Sequence, residues 1–121
     1  MSKHVYKASN AREYFTRERC YITEVANDPE NEALSVAIAR VEPGITTAWH
    51  VLRDVDERYL IISGTGQVEI GEDQPVPIAT GDVVFIPAGI RQRIANHGSD
   101  DLTFYALCTP RFTPDCYISL E

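Results

Sequence analysis

From residue 34 to residue 108 the sequence repeats one pattern, in which a short apolar run is followed by a turn rich in Gly, Pro, Asp or Asn. Short runs closed by such turns are typical of strands, and convincing helical periodicity is absent from the sequence. Many short strands at this spacing predict an all-β sandwich or barrel. The predicted strands cover residues 20–25, 34–41, 46–51, 57–62, 67–70, 76–79, 83–86, 92–96 and 102–108.

The whole chain, residues 1–121, is predicted to form one domain, because its length leaves room for a single hydrophobic core. Residues 1–33 are expected to add N-terminal strands or an arm. A short helix beginning near Ser9 competes there with a strand over residues 14–16. The tail, residues 109–121, contains two prolines that disfavour a central strand, and we expect it to pack on the barrel.

Charge, hydropathy and cysteine content narrow the class of protein. The net charge is −7, and the acidic residues are dispersed, which argues against nucleic acid because phosphate contacts need clustered Lys and Arg. We expect no membrane span and no signal peptide, since the apolar runs are only as long as strands. Cys20, Cys108 and Cys116 show no C-x-x-C spacing. We therefore expect a cytoplasmic protein with reduced thiols.

Three polar side chains are predicted to converge inside the barrel. Side chains of equal parity share one face of a strand, so His50 shares a face with Leu52, and Glu57 shares one with Tyr59. If these faces and that of Gln92 line one interior, an imidazole, a carboxylate and an amide oxygen meet. Such a set is a workable ligand shell for a borderline divalent metal ion, with positions open for water or substrate.

Two blocks of the sequence resemble the motifs of the cupin superfamily, whose small barrels are double-stranded β-helices. The blocks span residues 44–64 and 81–96. The residues in register with the family's motifs are Gly44, His50, Glu57, Gly64, Gly81, Pro87, Gly89 and Asn96. Two positions differ, since Leu52 stands at the second histidine of the first motif and Gln92 at the histidine of the second. The resemblance implies an all-β, jelly-roll cupin barrel.

The resemblance also implies a function. It suggests a divalent transition metal ion (Zn, Fe, Mn or Ni) bound by His50, Glu57 and Gln92 in a site reduced by one ligand. Cupin chemistry includes oxygenation, isomerisation and decarboxylation, and the sequence does not select among them. We expect a small-molecule-binding cupin with such a reduced metal site, acting either as a metal-dependent enzyme or as a binding protein. A homodimer that uses the N-terminal segment and the tail is expected, because small barrels must cover their sheet edges.

A metal-free binding or structural cupin without catalytic activity is the alternative hypothesis. In that case His50 hydrogen-bonds within the barrel, for example to Glu57, and the apolar Leu52 lines a cavity for an organic ligand. The candidate substrate-binding residues are Tyr59, Leu52 and Tyr105. The sequence leaves open the roles of Arg40, Arg91, Arg93 and Cys108, although the alternation predicts that Arg91 and Arg93 point outward and that Cys108 belongs to the core.

Overall fold

The computed structural model describes residues 3–121, which form two antiparallel sheets that face each other. The strands are β1 (Tyr14–Phe15), β2 (Tyr21–Ala26), β3 (Ser35–Val41), β4 (His50–Leu52), β5 (Asp56–Ser63), β6 (Thr65–Ile70), β7 (Val76–Ala79), β8 (Val83–Ile86), β9 (Gln92–Ala95), β10 (Leu102–Thr109) and β11 (Tyr117–Ser119). One sheet has the order β1-β2-β3-β10-β5-β8, and the other has the order β11-β4-β9-β6-β7. The predicted all-β jelly-roll fold is thus confirmed.

Helical structure is minor in the described part of the chain. It consists of two single turns of 3-10 helix, at Ala8–Asn10 and Pro114–Cys116. Both structures predicted for the N-terminal segment, the helix and the strand, are present in shortened form, because a 3-10 turn precedes the two-residue strand β1. Within residues 3–121, no helix has the length and apolar character needed to cross a membrane.

The core lies between the inner faces of the two sheets. Along β10 every second side chain is buried, and these are the ones that face the opposite sheet. Phe104 packs its ring against that of Tyr59 at a centroid distance of 4.4 Å. Ile61, Ile86 and Ile94 complete the most deeply buried layer. Alternating apolar residues therefore produce the barrel interior directly.

The segment before His50 departs from the prediction. The sequence favoured a strand over residues 46–51, whereas β4 begins only at His50, and Thr46 forms an isolated bridge. This segment is held by individual hydrogen bonds and not by a β-ladder. Thr47 N donates to Ile94 O at 2.9 Å, and Ala48 N donates to a carbonyl of the β1–β2 turn at 3.2 Å.

Two of the motif positions serve the fold. Gly64 has φ +85°, and a Cβ there would lie 2.5 Å from the carbonyl oxygen of Asp101. The Asn96 side chain is fully buried and donates hydrogen bonds to the carbonyl oxygens of Val41 at 2.9 Å and Asp100 at 2.8 Å. Its own oxygen accepts a hydrogen bond from the backbone two residues later. These residues close the connections that carry the chain between the sheets.

The C-terminal tail completes the sheet that carries His50. Strand β11 pairs with β4, so that Ser119 lies opposite His50 and Tyr117 lies opposite Leu52. The Glu121 carboxylate then accepts a hydrogen bond from the backbone N–H of Trp49 at 2.7 Å. The tail therefore covers one edge of the strand that positions the imidazole.

Candidate functional site

The barrel interior brings His50, Glu57 and Gln92 together. His50 and Gln92 lie opposite each other on β4 and β9 of one sheet, and Glu57 comes from β5 of the facing sheet. All three side chains point inward, with exposed fractions of 3%, 8% and 1%. What they can do chemically depends on the hydrogen bonds that each one makes.

A continuous hydrogen-bonded network joins Glu57, Gln92 and Tyr59. Gln92 Nε2 donates to Glu57 Oε1 at 2.9 Å, and the Tyr59 hydroxyl donates to Gln92 Oε1. The Cys108 thiol donates to Glu57 Oε2 at a sulfur–oxygen distance of 3.6 Å. Both ends of the Gln92 amide are therefore engaged, and protein groups alone satisfy the network.

The imidazole of His50 is oriented by its own strand and by the tail. Nδ1 lies 2.9 Å from the carbonyl oxygen of Ala48, which can only accept, so Nδ1 carries a proton. In the neutral ring Nε2 is then the unprotonated nitrogen. Within residues 3–121, Nε2 has no hydrogen-bond partner. The ring of Tyr117 stacks on the imidazole at 5.0 Å between centroids, with 22° between the planes.

Glu18 is a member of the site that the sequence did not suggest. It lies in the turn between β1 and β2, and its backbone carbonyl accepts the hydrogen bond from Ala48 N. Its carboxylate lies 3.6 Å from Nδ1 of His50, with 23% of the side chain exposed. In the sequence it stands between Arg17 and Arg19, where a charged residue is typical of a solvated turn. Only the folding of this turn over the barrel reveals its position.

The two carboxyl groups of the site retain their protons more readily than carboxyl groups in water. Burial raises the pKa of Glu18 to about 7, partly opposed by the charge of Arg17. Burial also raises the pKa of Glu57, opposed by the hydrogen bond from Gln92 and by the charge of His50. Glu18, whose pKa lies near neutrality, can therefore both donate and accept a proton at physiological pH.

Two adjoining spaces give access to these groups. The inner cavity, of about 50 Å³, is lined by His50, Leu52, Tyr59 and Tyr117, among others. The outer groove, of about 110 Å³, opens beside β2, β3 and β10. Both spaces are bounded by Glu18, Ile22, Glu57, Ala106 and Phe112. We refer to the two together as the barrel cavity.

The three candidate substrate-binding residues fall in two places. Leu52 and Tyr59 line the inner cavity, as expected from their parity. Tyr105 does not, because its neighbours Phe104 and Ala106 occupy the inward positions of β10 and Tyr105 faces outward. The placement of Tyr105 in the pocket was therefore wrong, since strand alternation puts it on the opposite face of the sheet.

The residues whose roles the sequence left open lie outside the barrel cavity or in the core. Arg40 pairs with Glu13 at 2.9 Å and with Asp101 at 3.2 Å. Arg91 and Arg93 lie over the ring of Trp49, at 4.3 and 4.4 Å from its centroid, and so point outward. The Cys108 thiol is buried, and burial raises its pKa, so it remains protonated in the core.

The donor groups present do not fit a resident divalent metal ion. Leu52 offers no donor atom, and the Gln92 amide oxygen, which already accepts the hydrogen bond from Tyr59, has one lone pair left and is a neutral, weaker ligand. Among residues 3–121, no cluster of three His, Cys, Asp or Glu side chains is arranged to hold a metal ion. His50 Nε2 and the Glu57 carboxylate are the strong ligands of the predicted set, which is fewer than the three protein ligands of a typical catalytic zinc site.

Comparison with known proteins gives a family and several similar structures. Residues 37–108 match the sequence model of the cupin domain. One similar structure is a variant of Streptomyces Pac13 with uridine, and Pac13 is described as a nucleoside dehydratase. The TM-score is 0.82 at 16% identity, over 100% of this chain and 93% of that chain. A predicted oxalate decarboxylase from Thermotoga maritima has a TM-score of 0.76 at 24% identity, over 88% of this chain and 99% of that chain.

A further similar structure is a conserved protein with a double-stranded β-helix domain from Klebsiella pneumoniae. Its TM-score is 0.78 at 16% identity, over 99% of each chain. No curated protein matches the chain in sequence. At these identities the structural likenesses establish the shared fold.

Proposed function

This chain belongs to the cupin domain family, and we propose that it binds a small organic molecule in the barrel cavity and acts on it by proton transfer, without a resident metal ion. The observation that carries the proposal is the state of His50. Its Nδ1–H is bound to Ala48 O, while Nε2 lies unpartnered in a side chain that lines the cavity. An oriented neutral imidazole with a free nitrogen is suited to act as a general base.

The surroundings of His50 support the charge changes of such a step. When Nε2 takes a proton, the ring becomes an imidazolium, and the Glu18 carboxylate 3.6 Å from Nδ1 stabilises it. A base oriented by a second group through its other nitrogen is the arrangement used in many general-base sites. The stacked Tyr117 ring limits rotation of the imidazole out of its present orientation. These contacts favour proton abstraction from carbon at Nε2.

A proton must also be returned to the product. Burial raises the pKa of the Glu57 carboxyl, which lies on the wall of the same cavity, and we propose that its protonated form returns the proton. Base and acid on one cavity suffice for isomerisation, or for elimination in which a hydroxyl group leaves as water. The fold is also that of Pac13, described as a nucleoside dehydratase, which supports a cupin barrel as a scaffold for elimination.

A divalent metal ion at His50, Glu57 and Gln92 is the competing hypothesis. The tautomer of His50 is compatible with it, because metal-binding histidines commonly donate their other N–H to a backbone carbonyl. Zn, Fe, Mn or Ni bound there would act as a Lewis acid toward substrate. Against it stands the network in which the Gln92 amide already bonds at both ends.

Metal analysis separates the two hypotheses. Protein purified without an affinity tag should contain substoichiometric Zn, Fe, Mn and Ni, and chelator should leave its thermal unfolding unchanged. A metal at a hundred times its dissociation constant would add about 2.7 kcal/mol to stability, which a thermal scan resolves. Leu52→His, which restores a ligand position, is the matched variant with greater metal affinity. Stoichiometric metal in the natural protein that is lost in His50→Ala would overturn the proposal.

A second experiment tests the base directly. Small carbonyl compounds with an acidic C–H, with and without an amino group, are incubated with the protein in deuterated water, and exchange is followed by NMR. We expect exchange with the natural protein and a large loss in His50→Gln, whose amide cannot act as a base. Long-range proton–nitrogen spectra should show His50 protonated on Nδ1. Equal exchange in both proteins, or a proton on Nε2, would contradict the assignment.

A further inference from the structure

We propose that the molecule bound in the barrel cavity is a compact organic cation, with its charged nitrogen in the outer groove and its reacting end at His50. This inference rests on the proposed function in one respect, namely that the cavity is the binding site. It adds the chemical class of the ligand.

The charged side chains of the outer groove all have the same sign. Glu18, Glu24 and Glu57 line it, and no Lys, Arg or His from residues 3–121 lines it with them. His50 is the single basic side chain that the described part of the chain places on the inner cavity. Arg17 borders an adjoining surface recess that shares Thr16, Glu18 and Phe112 with the groove, and its guanidinium is placed over the Tyr117 ring at 5.1 Å. A positive ligand would therefore meet carboxylates without competition from a side chain inside the groove.

The remaining walls of the groove are apolar and aromatic. Tyr14 and Phe112 supply rings, and Ile22, Val36 and Ala37 supply aliphatic surface. Rings beside carboxylates bind organic cations well, because the face of a ring attracts positive charge and the alkyl groups bury apolar surface. An inorganic cation has no alkyl surface to bury against these walls. The combination thus favours an alkyl-substituted ammonium group.

Two polar atoms on the wall of the inner cavity are available to a ligand. The His50 side chain is buried and lines this cavity, and no hydrogen bond engages its Nε2 among the described residues. The Tyr117 hydroxyl is a buried polar group that has no hydrogen-bond partner within residues 3–121. An unpaired buried hydroxyl is rare and costly, and a ligand that bonds to it accounts for its presence.

Anionic ligands are disfavoured by the same inventory. A carboxylate or phosphate in the groove would lose its hydration and find no cationic side chain to replace it. Repulsion from Glu24, and from Glu18 and Glu57 in their ionised forms, would add to that cost. The size of the cavity, about 50 Å³ inside and about 110 Å³ in the groove, further restricts the ligand to a compact molecule.

Three probes of matched shape and different charge test the class of ligand. They are choline, its neutral isostere with carbon in place of nitrogen, and pivalate as the anion, each titrated into the full-length protein and followed by NMR shifts of His50 and Tyr117. Choline should bind at least about tenfold more tightly than the neutral isostere, and pivalate should not bind. Equal affinity for choline and its isostere, or preferential binding of pivalate, would overturn the inference.

A pair of variants locates the charge effect. Glu24→Gln should reduce the affinity for choline severalfold and leave that for the neutral isostere unchanged, whereas the exposed Glu42→Gln should change neither. A loss for both probes in Glu24→Gln would indicate altered groove shape and contradict a charge role. The outcomes also separate the two proposals. Stoichiometric metal or His50-independent exchange refutes the proposed function, while absent cation preference in a metal-free protein refutes only the ligand class.

Discussion

Replacing Glu18 by glutamine should stabilise the protein at alkaline pH and have little effect at acidic pH. The Glu18 carboxyl is held against His50 at the mouth of the inner cavity, with 23% of its side chain exposed. Its pKa is raised from 4.5 to about 7, chiefly by burial. The folded protein therefore binds a proton that the unfolded chain has released between these two values, and its stability falls as pH rises through this window.

The magnitude follows from the size of the shift. At about 1.4 kcal/mol per pKa unit, a rise from 4.5 to about 7 limits the cost of ionised Glu18 to about 3 kcal/mol. Because the side chain keeps some contact with water and its surroundings can relax, we expect Glu18→Gln to raise the free energy of unfolding by about 1–2 kcal/mol more near pH 8 than near pH 5.

Urea denaturation of the natural protein and of Glu18→Gln near pH 5 and near pH 8 measures this difference. The control is the exposed Glu42→Gln, whose stability should equal that of the natural protein at each pH. An unchanged stability of Glu18→Gln at both pH values would show that the carboxyl is solvated. A loss of stability near pH 8 would show that the carboxylate is a net favourable partner of His50. Either result would refute the assignment of burial as the dominant effect.

Three further substitutions test the structural roles of motif and network residues. Asn96→Ala should lower the free energy of unfolding in urea by about 2–4 kcal/mol, because it removes the hydrogen bonds to the buried Val41 carbonyl and to the Asp100 carbonyl; a loss below about 1 kcal/mol would contradict this. Gly64→Ala should lower the melting temperature more than Gly81→Ala, since both have positive φ but only the methyl at Gly64 would meet a backbone oxygen at 2.5 Å; equal losses would refute it. Tyr59→Phe should cost about 1–3 kcal/mol in urea, because a buried amide oxygen loses its donor; a stabilised variant would show that the hydroxyl does not make this bond.

Much of the fold could be predicted because it depends on local rules. Strand alternation and turn chemistry are written residue by residue, so the order of strands from residue 34 onward agrees closely with the structure. The same alternation placed His50, Glu57 and Gln92 on inner faces, and the structure brings them together. It also shows why Tyr105 lies outside, since its position on β10 has the outward parity.

The segment before β4 shows the limit of such rules. Its composition favours a strand from residue 46, yet only His50–Leu52 forms one. Thr47 and Ala48 make hydrogen bonds to two different parts of the chain in place of one partner strand. Which bonds a segment makes depends on what the fold places beside it, and the sequence of the segment does not contain that information.

The two-residue period and the turn residues predicted an all-β sandwich or barrel and the inward residues at its centre, and the two cupin-like motifs specified the jelly roll. Only the folded structure shows the hydrogen bonding and burial at that centre. It placed Glu18 and Tyr117, from opposite ends of the chain, against His50, and it engaged Gln92 with two neighbours. Hydrogen-bond partners and burial are set by contacts between distant segments, and these contacts determine whether a histidine and a glutamate form a metal site or an acid–base pair.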